Sequence, residues 1–223
     1  MAPFGASRAG LMSVVVDDIP DSDVYLHDDW GDNQLFSDRE DGGTTTHNGV
    51  TGYYRPEWTE GQSGASVSNE ALELSSGESV YFTDIGADLD ETLTLEWELN
   101  DVSGFTSGTH QHGITILGDD IDPSQDVFHP NEGYVVKVIG NPDRVRVSRS
   151  QNYANDTVLI SEEFDHGNLN DIRVTRDSDG NFELFINGNS QGTAQDTTYD
   201  TQSEVSIGAK NGGTTETNEV KWS

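Results

Sequence analysis

Apolar and polar residues alternate along several short segments of this chain, and this pattern constrains the fold more than any other feature. In residues 93–99, three leucines and Trp97 occupy every second position, with threonine and glutamate between them. Such period-two alternation is typical of a β-strand with one buried face. Residues 172–176 and 182–186 repeat the pattern, and the dipeptide Asn187-Gly188 that follows is a tight-hairpin signal, because both of its positions favour a positive φ.

About ten strands of this kind can be traced from residue 65 to residue 223, with turn residues at intervals of roughly 8–12 positions. The dipeptide Asp179-Gly180 is a second hairpin signal of the same type. No segment shows a sustained helical period, and no internal repeat is visible. The sequence therefore predicts the all-β class, with an antiparallel β-sandwich over residues 65–223.

Residues 1–60 differ from the rest, because glycine, serine, aspartate and threonine dominate and no regular alternation is present. One interpretation is an irregular N-terminal arm, an attachment segment that packs on another protein or on sister subunits. The other interpretation is that these residues form the first strands of the sandwich, separated by long loops. The sequence leaves both open, and we divide the chain into an arm at 1–60 and a sandwich at 65–223.

The chain carries 41 acidic and 11 basic residues, which gives a formal net charge of −30. The acids are spread along the whole length, so they repel one another in dilute buffer, whereas molar salt shortens the Debye length to about 3 Å. This composition predicts a protein of a halophilic organism or virus, with an acidic Ca²⁺-binding protein from ordinary salt as the alternative. The charge argues against nucleic acid as a partner, because phosphate binding needs a basic face.

Several common segments and chemistries are absent from the sequence. The chain has no cysteine, which excludes disulfides and thiol chemistry. No stretch approaches the ~20 apolar residues of a membrane span, so we expect no membrane partner. The first residues contain only Arg8 as a basic residue and lack a long apolar core, so we expect no secretion signal.

Residues 170–188 resemble part of the laminin-G and concanavalin A-like jelly-roll domains. In those domains a strand of the form aliphatic-x-Val-x-Arg leads to an Asp-Gly turn, and the next strand ends in Leu-Tyr-Val-Asp-Gly. Here Phe185 stands at the tyrosine position and Asn187-Gly188 at the final Asp-Gly. Residues 205–208 and 219–222 resemble later strands of the same domains. The resemblance implies a lectin-like jelly roll, a fold that carries unrelated activities.

Residues 1–12 and 52–59 resemble the opening segments of structural proteins from tailed viruses of haloarchaea. With the acidic composition and the expected lack of a secretion signal, this resemblance implies a non-catalytic virion protein: a capsid decoration, turret, spike or tail-fibre subunit. Such a protein is assembled in the host cytoplasm and works on the particle surface as a homo-oligomer beside other virion proteins. Its partner outside the particle would be a host surface glycan or glycoprotein. A haloarchaeal carbohydrate-binding or adhesion module is the alternative.

Candidate ligand-binding residues are aromatic, because a sugar ring stacks on an exposed aromatic face. The same residue types also fill cores and interfaces, where their rings are half-buried. The candidates are Trp58, Tyr134, Tyr153 and Tyr199.

Candidate metal ligands fall in two groups. The first group is acidic, lies in one predicted loop and offers the oxygen ligands that Ca²⁺ prefers, with a solvated acidic loop as the alternative. It consists of Asp119, Asp120 and Asp122. The second group could form a metal centre but is expected at the surface, since the chain has six histidines. It consists of His110, His112 and His129. No other cofactor is expected.

A catalytic function rests on one pair of carboxylates. Glu96 and Glu98 fall on one face of a predicted strand, and a retaining glycosidase needs two carboxyl groups about 5–5.5 Å apart. Glycosidases of this fold add a third acid along the strand, whereas Asn100 follows here. Paired glutamates are also expected by chance in so acidic a chain. We therefore expect no enzyme, and a glycoside hydrolase or lyase is the third hypothesis.

Overall fold

The structure is a computed structural model, and it describes residues 26–31, 43–47, 50–54, 56–83, 93–101, 110–140, 143–153, 156–165, 171–199, 203–212 and 214–223. The strands are β1 (Leu26–Asp28), β2 (Gly43–His47), β3 (Val50–Tyr54), β4 (Thr59–Gln62), β5 (Ser66–Ser68), β6 (Ala71–Ser75), β7 (Ser79–Phe82), β8 (Leu93–Asp101), β9 (Gln111–Asp119), β10 (Glu132–Gly140), β11 (Asp143–Gln151), β12 (Thr157–Glu163), β13 (Asp171–Arg176), β14 (Asn181–Ile186), β15 (Asn189–Gln195), β16 (Val205–Lys210) and β17 (Thr214–Trp222). In these ranges no helix has the length and hydrophobicity that a membrane crossing requires.

The strands form two sheets. The ten-stranded sheet has the order β15-β14-β13-β8-β17-β1-β3-β2, and β6 joins it beside β17 with β5 at its outer side. The seven-stranded sheet has the order β12-β11-β10-β9-β16-β7-β4. Neighbouring strands are antiparallel apart from β1 and β3, which are parallel. The predicted all-β fold, an antiparallel sandwich, is confirmed.

The core lies between the two sheets and is built by the alternation seen in the sequence. Leu95 and Trp97 of β8 are fully buried, as is Ile114 of β9 in the facing sheet. Burying a side chain of this size stabilises a fold by about 1.5–3 kcal/mol. The indole of Trp222 donates to the carbonyl oxygen of Ile116 at 3.0 Å, so β17 of one sheet is also hydrogen-bonded to β9 of the other.

The described residues between 26 and 60 belong to the sandwich. Leu26 of β1 pairs with Trp222 of β17, and Thr59 of β4 pairs with Tyr81 of β7. Of the two interpretations that the sequence left open, this part of the chain agrees with the one in which early strands join the sheets. Residues 1–25 lie outside the described residues, so an attachment role for them stays a prediction.

A buried aspartate connects the early strands to the core. Asp28 is inaccessible to solvent, and its Oδ2 accepts a hydrogen bond from the indole of Trp58 at 2.7 Å. Its Oδ1 accepts a second bond from the backbone N–H of Trp30 at 2.9 Å. The ring of Trp58 packs 6.5 Å from that of Trp222. Polar and aromatic contacts therefore hold the chain around β1 and β4 against the last strand.

The two hairpin signals near the C-terminus differ in the structure. Asn187 and Gly188 have φ values of 49° and 74°, and Ile186 pairs with Asn189, so this turn has the predicted two-residue form. The turn at Asp179-Gly180 is longer than the tight hairpin that the sequence predicts. Four residues separate β13 from β14, and only Gly180 of them has a positive φ, at 75°. Asp177 closes that loop by accepting the N–H groups of residues 179 and 181.

The loop between β9 and β10 covers the outer face of the seven-stranded sheet. A Cβ at Gly113 of β9 would lie 2.3 Å from the ring of Phe128, and one at Gly208 of β16 would lie 2.4 Å from the carbonyl oxygen of Val127. Glycine is therefore required at both positions for the loop to approach. Thr115 fixes the loop by donating from its hydroxyl to the carbonyl oxygen of Phe128 at 2.8 Å.

Candidate functional site

The two ends of the loop between β9 and β10 form a polar surface with the residues that follow β11 and with the residue before β16. The hydroxyl of Tyr153 donates to Oδ2 of Asp120 at 2.8 Å, and the amide of Asn131 donates to the same oxygen at 3.2 Å. Tyr153 is partly exposed and Asp120 is exposed. We name this surface the rim. Its residues are Asp119, Asp120, Asp122, Asn131, Tyr153 and Glu204.

The rim is held in an unusual backbone conformation. Asp120, Asn152 and Tyr153 have φ values of 55°, 52° and 62°. The left-handed region is uncommon for non-glycine residues and costs on the order of 1–3 kcal/mol for each. Backbone bonds stabilise the arrangement, because Asn152 donates to the carbonyl oxygen of Asn131 at 2.7 Å. Other turns, such as that of Asn69 and Glu70, also contain left-handed residues. The rim is the first candidate for function because three such residues meet there in one hydrogen-bonded polar surface.

The charges of the rim act on its titratable groups. The hydrogen bond to Asp120 and partial burial raise the pKa of Tyr153 to about 12, so its hydroxyl stays a donor over the physiological range. Burial, with the charges of Asp119 and Asp120, raises the pKa of Glu204 above its usual value. The carboxyl of Glu204 also accepts the backbone N–H of Ile121 at 2.7 Å. The rim is therefore a negatively charged surface with a hydroxyl donor at its centre.

The aspartates predicted as Ca²⁺ ligands are engaged with protein donors. Asp120 accepts from Tyr153 and Asn131, and Asp122 accepts from the backbone and the hydroxyl of Ser124 at 2.9 and 2.7 Å. These bonds lower the pKa of Asp122. Among the residues that the structure describes, no three His, Asp or Glu side chains are placed to hold a metal ion. The structure therefore does not bring Asp119, Asp120 and Asp122 together as a ligand set.

Three of the four aromatic candidates lie in the core. Trp58, Tyr134 and Tyr199 have exposed fractions of 2%, 1% and 8%, so their rings offer no face on which a sugar could stack. The hydroxyl of Tyr134 instead donates to Asp196 at 2.9 Å and accepts the N–H of Tyr199 at 3.1 Å. Only Tyr153 has the exposure that the prediction requires, and it is the candidate in contact with the acidic loop.

The histidines predicted at the surface are largely buried, and they do not form a metal centre. His112 is inaccessible to solvent, and neither of its ring nitrogens has a hydrogen-bond partner. Its ring packs edge-on against Trp97 with centroids 4.8 Å apart. Burial lowers the pKa of His112 to about 3, so the imidazole is neutral in the fold.

His129 lies in a network of charges beneath the β9–β10 loop. Its Nδ1 is 2.8 Å from Asp126, and its Nε2 is 3.3 Å from Asp156. Lys210 pairs with Asp126 at 2.7 Å, and Lys137 pairs with Asp156. Although burial acts in the opposite direction, His129 and the lysines hold the pKa of both aspartates below the usual value. These contacts fix the loop whose first residues form the rim.

The glutamates considered for catalysis lie on the outer face of the ten-stranded sheet. Strand order places β8 between β13 and β17, so Asp171 and Glu219 lie on either side of Glu98. With Glu96 and Trp97 these residues line an open cleft of about 180 Å³. We name it the acidic cleft.

Charge is compensated unevenly in the acidic cleft. Glu96 pairs with Lys221 at 3.3 Å, and His27 contacts Glu219 at 2.9 Å, which lowers the pKa of that glutamate. Burial, together with the carboxylates of Glu96 and Glu98, raises the pKa of Asp171. A carboxyl with a raised pKa beside two carboxylates is the arrangement that an acid–base pair requires, so the third hypothesis has its best site here.

Sequence reasoning missed part of both surfaces. Asp171 and Glu219 share the outward-facing positions of strands that were predicted, but only the order β13-β8-β17 brings them to Glu98. Asn131 and Glu204 carried no motif. These two residues are recognised only by their contact with the acidic loop, and that contact depends on strands far apart in the chain.

The fold is similar to two kinds of solved protein. One is a structure of botulinum neurotoxin type C, whose cell entry is described as dependent upon interaction with two ganglioside molecules. It has a TM-score of 0.54 and 14% identity over 81% of this chain and 46% of that chain. The binding domain of botulinum neurotoxin DC in complex with rat synaptotagmin II has a TM-score of 0.54 and 13% identity over 81% and 47%. The metal-free carbohydrate recognition domain of Emp46p has a TM-score of 0.57 and 12% identity over 74% and 87%.

No family model matches the sequence, and no curated protein sequence matches it. The chain spans just under half the length of the botulinum structures, and at these identities the likeness concerns the fold alone. The neighbours are all-β, lectin-like jelly-roll domains. This chain therefore has a lectin-like jelly-roll fold, as the resemblance of residues 170–188 implied.

Proposed function

We propose that this chain is a non-catalytic, lectin-like recognition module that binds a glycan at the rim in concentrated salt. The observation that carries the proposal is the hydrogen-bonded trio of Tyr153, Asp120 and Asn131, held by left-handed backbone at the end of a jelly roll. A partly exposed tyrosine ring offers a stacking face. The carboxylate accepts hydrogen bonds from hydroxyl groups, and an amide both donates and accepts them.

The charge of the rim restricts its ligand. Asp119, Asp120 and Asp122 lie in one loop, and Glu204 is close enough for two of them to raise its pKa. An anionic sugar would meet like charges at contact distance, where even molar salt screens them little. The rim is therefore suited to a neutral, hydroxyl-rich glycan rather than to a sialylated or uronic one.

The solved neighbours support this proposal through their fold. The Emp46p structure is a carbohydrate recognition domain. The botulinum neurotoxin type C structure is described with two ganglioside molecules, and the neurotoxin DC structure is a binding domain in complex with synaptotagmin II. Those ligands belong to those proteins. What carries over is that this sandwich repeatedly serves as a scaffold for recognition, with its loops as the variable surface.

The test is binding of the purified protein to a glycan array in molar KCl, followed by titration of the best neutral ligand. Tyr153→Ala removes both the stacking face and the hydroxyl, so we expect the affinity to fall at least about tenfold. Tyr153→Phe keeps the ring, so the affinity of this variant should fall less. Glu98→Gln, in the acidic cleft, is the matched control and should bind like the wild type.

The opposite pattern would reject the rim. If Glu98→Gln abolishes binding while Tyr153→Ala does not, the ligand site is the acidic cleft. If the array glycans are cleaved and Glu96→Gln abolishes cleavage, the chain is a glycoside hydrolase or lyase. If no glycan binds in molar KCl, the recognition proposal itself is wrong.

We also propose that the module is carried on the surface of a haloarchaeal virus particle, as a capsid decoration, turret, spike or tail-fibre subunit. The net charge of −30 and the resemblance of residues 1–12 and 52–59 support this location. Mass spectrometry of purified particles from an infected haloarchaeal culture should detect the chain in stoichiometric amounts. Its presence in the cell envelope of uninfected cells, and not in particles, would favour the alternative, a cellular adhesion module.

A further inference from the structure

Five strands end a sheet in the described part of the chain, and four of them are unsuited to pairing with another chain. Three edge strands, β15, β12 and β4, shift register against their neighbours through one extra residue. The extra residues are Gln191, Leu159 and Gly61. The fourth, β5, is only three residues long. Natural sheets use bulges and short edge strands in this way, because both interrupt the ladder that a second chain would extend.

The fifth edge strand is different. β2 (Gly43–His47) pairs with β3 over all five of its residues without a shift in register. It consists of one glycine, three threonines and one histidine, so it contains neither an acid, a lysine nor a proline. Threonine favours extended backbone. Among the residues that the structure describes, the edge that β2 presents therefore has none of the usual devices that prevent association.

We propose that β2 pairs with β2 of a second copy of this chain about a two-fold axis, which joins two ten-stranded sheets into one. A second copy is the fitting partner, because an antiparallel edge is self-complementary under two-fold symmetry. Two chains of net charge −30 repel each other. In molar salt, however, charges act over only about 3 Å, so carboxylates away from the contact contribute little to the repulsion. β2 itself contains no carboxylate. This interface is independent of the proposed glycan site.

The register of β2 against β3 determines which groups are free. His47 and Val50 pair across a two-residue connection, so they exchange the hydrogen bonds of the turn. Because bonded and non-bonded pairs alternate, Thr45 also bonds to β3, whereas Thr44 and Thr46 direct their N–H and C=O groups to the open side. A two-fold axis at Thr45 then places Thr44 opposite Thr46 of the second copy. The two Thr45 residues form a non-hydrogen-bonded pair with Cα atoms about 4.5 Å apart.

That separation suits a disulfide, which needs Cα atoms about 4.4–6.8 Å apart. Because the chain has no cysteine, Thr45→Cys introduces a single thiol. Under mild oxidation in molar KCl, we expect this variant to form a covalent dimer. Thr59→Cys is the matched control, since Thr59 is an exposed threonine on the bulged edge strand β4. It should remain uncross-linked under the same conditions.

A second variant tests the hydrogen bonds without a thiol. Thr44→Pro removes only an N–H that points away from β3, which an edge strand tolerates, so an unchanged unfolding midpoint is expected at protein concentrations low enough for both proteins to be monomeric. Two symmetric bonds are lost, and the dimer dissociation constant should rise at least about tenfold in sedimentation equilibrium. A wild-type protein that is monomeric at micromolar concentrations would overturn the proposal. So would equal cross-linking of Thr45→Cys and Thr59→Cys, or a dimer that Thr44→Pro leaves unchanged.

Discussion

Replacing His112 by leucine should stabilise the protein, and increasingly so as the solution becomes acidic. The imidazole lies in the core beside Trp97 with both nitrogens unpaired. Leaving a buried polar group unpaired costs about 1–3 kcal/mol, while an edge-on aromatic contact contributes about 1 kcal/mol. Leucine has a similar volume and no polar atom, so at neutral pH we expect a net gain in the free energy of unfolding of about 1 kcal/mol.

The pH dependence follows from the pKa of His112, which burial lowers from 6.5 to about 3. Between these pH values His112 is protonated in the unfolded chain and neutral in the folded chain. Acid therefore favours unfolding, and the free energy of unfolding falls by about 1.4 kcal/mol for each pH unit below 6.5. The variant lacks this loss. Its advantage should grow from about 1 kcal/mol at neutral pH to about 3 kcal/mol near pH 5.

The measurement is urea unfolding in molar KCl at a series of pH values, followed by tryptophan fluorescence. Only the difference between wild type and variant is compared, because other groups titrate equally in both. Ile114→Val is the control, since it alters a core side chain of the same strand and leaves the imidazole in place. It should keep the pH slope of the wild type.

Two results would refute the reasoning. Parallel pH profiles for wild type and His112→Leu between neutral pH and pH 5 would mean that His112 does not titrate as a buried, unpaired group. A variant that is less stable than wild type by more than about 2 kcal/mol at neutral pH would mean that the imidazole makes favourable contacts in the core.

Three further outcomes are expected. Asp28→Ala removes the acceptor of the Trp58 indole in the core, so the free energy of unfolding should fall by about 2 kcal/mol or more, whereas an effect near zero would count against the anchoring role of Asp28. Because the pKa of Asp126 is lowered in the fold, its stabilising contribution is present above the unfolded value of about 4 and is lost as the pH falls further. Asp126→Asn should therefore show a shallower loss of stability in acid, and an unchanged acid profile would contradict the role of His129 and Lys210. Finally, the melting temperature should rise with KCl concentration up to the molar range, because salt screens the net charge of −30; a melting temperature independent of KCl would argue against a halophilic protein.

Strands with one buried face could be predicted from the sequence, whereas strands without a buried face could not. β8, β13 and β14 alternate because each has one side against the core. β15 was missed, since its seven residues are polar or small and lie mostly in solvent at the edge of the sheet. β2 and β3 fall within the segment predicted as irregular, because β2 contains no apolar residue and the apolar residues of β3 do not alternate with polar ones.

The burial of His112 could have been predicted from the alternation along β9. His112 has the same parity along β9 as Ile114, and that residue faces the core. The alternation of β9 therefore indicated a buried imidazole, although its residue type suggested a metal ligand or a surface position. The rim is the reverse case. Tyr153 and the acidic loop were predicted separately, and only the pairing of β9, β10 and β11 brings them into contact.

The position of β17 determines when the ten-stranded sheet can assemble during folding. This strand is the last described element, yet it lies inside the ten-stranded sheet, between β8 on one side and β1 and β6 on the other. Until it docks, the sheet consists of separate halves with open, pairable edges. The larger sheet can therefore assemble only once residues 214–222 are available, and contacts of such long range make folding slow. A variant that lacks residues 214–222 would expose two inner edges of the sheet and should be prone to aggregation.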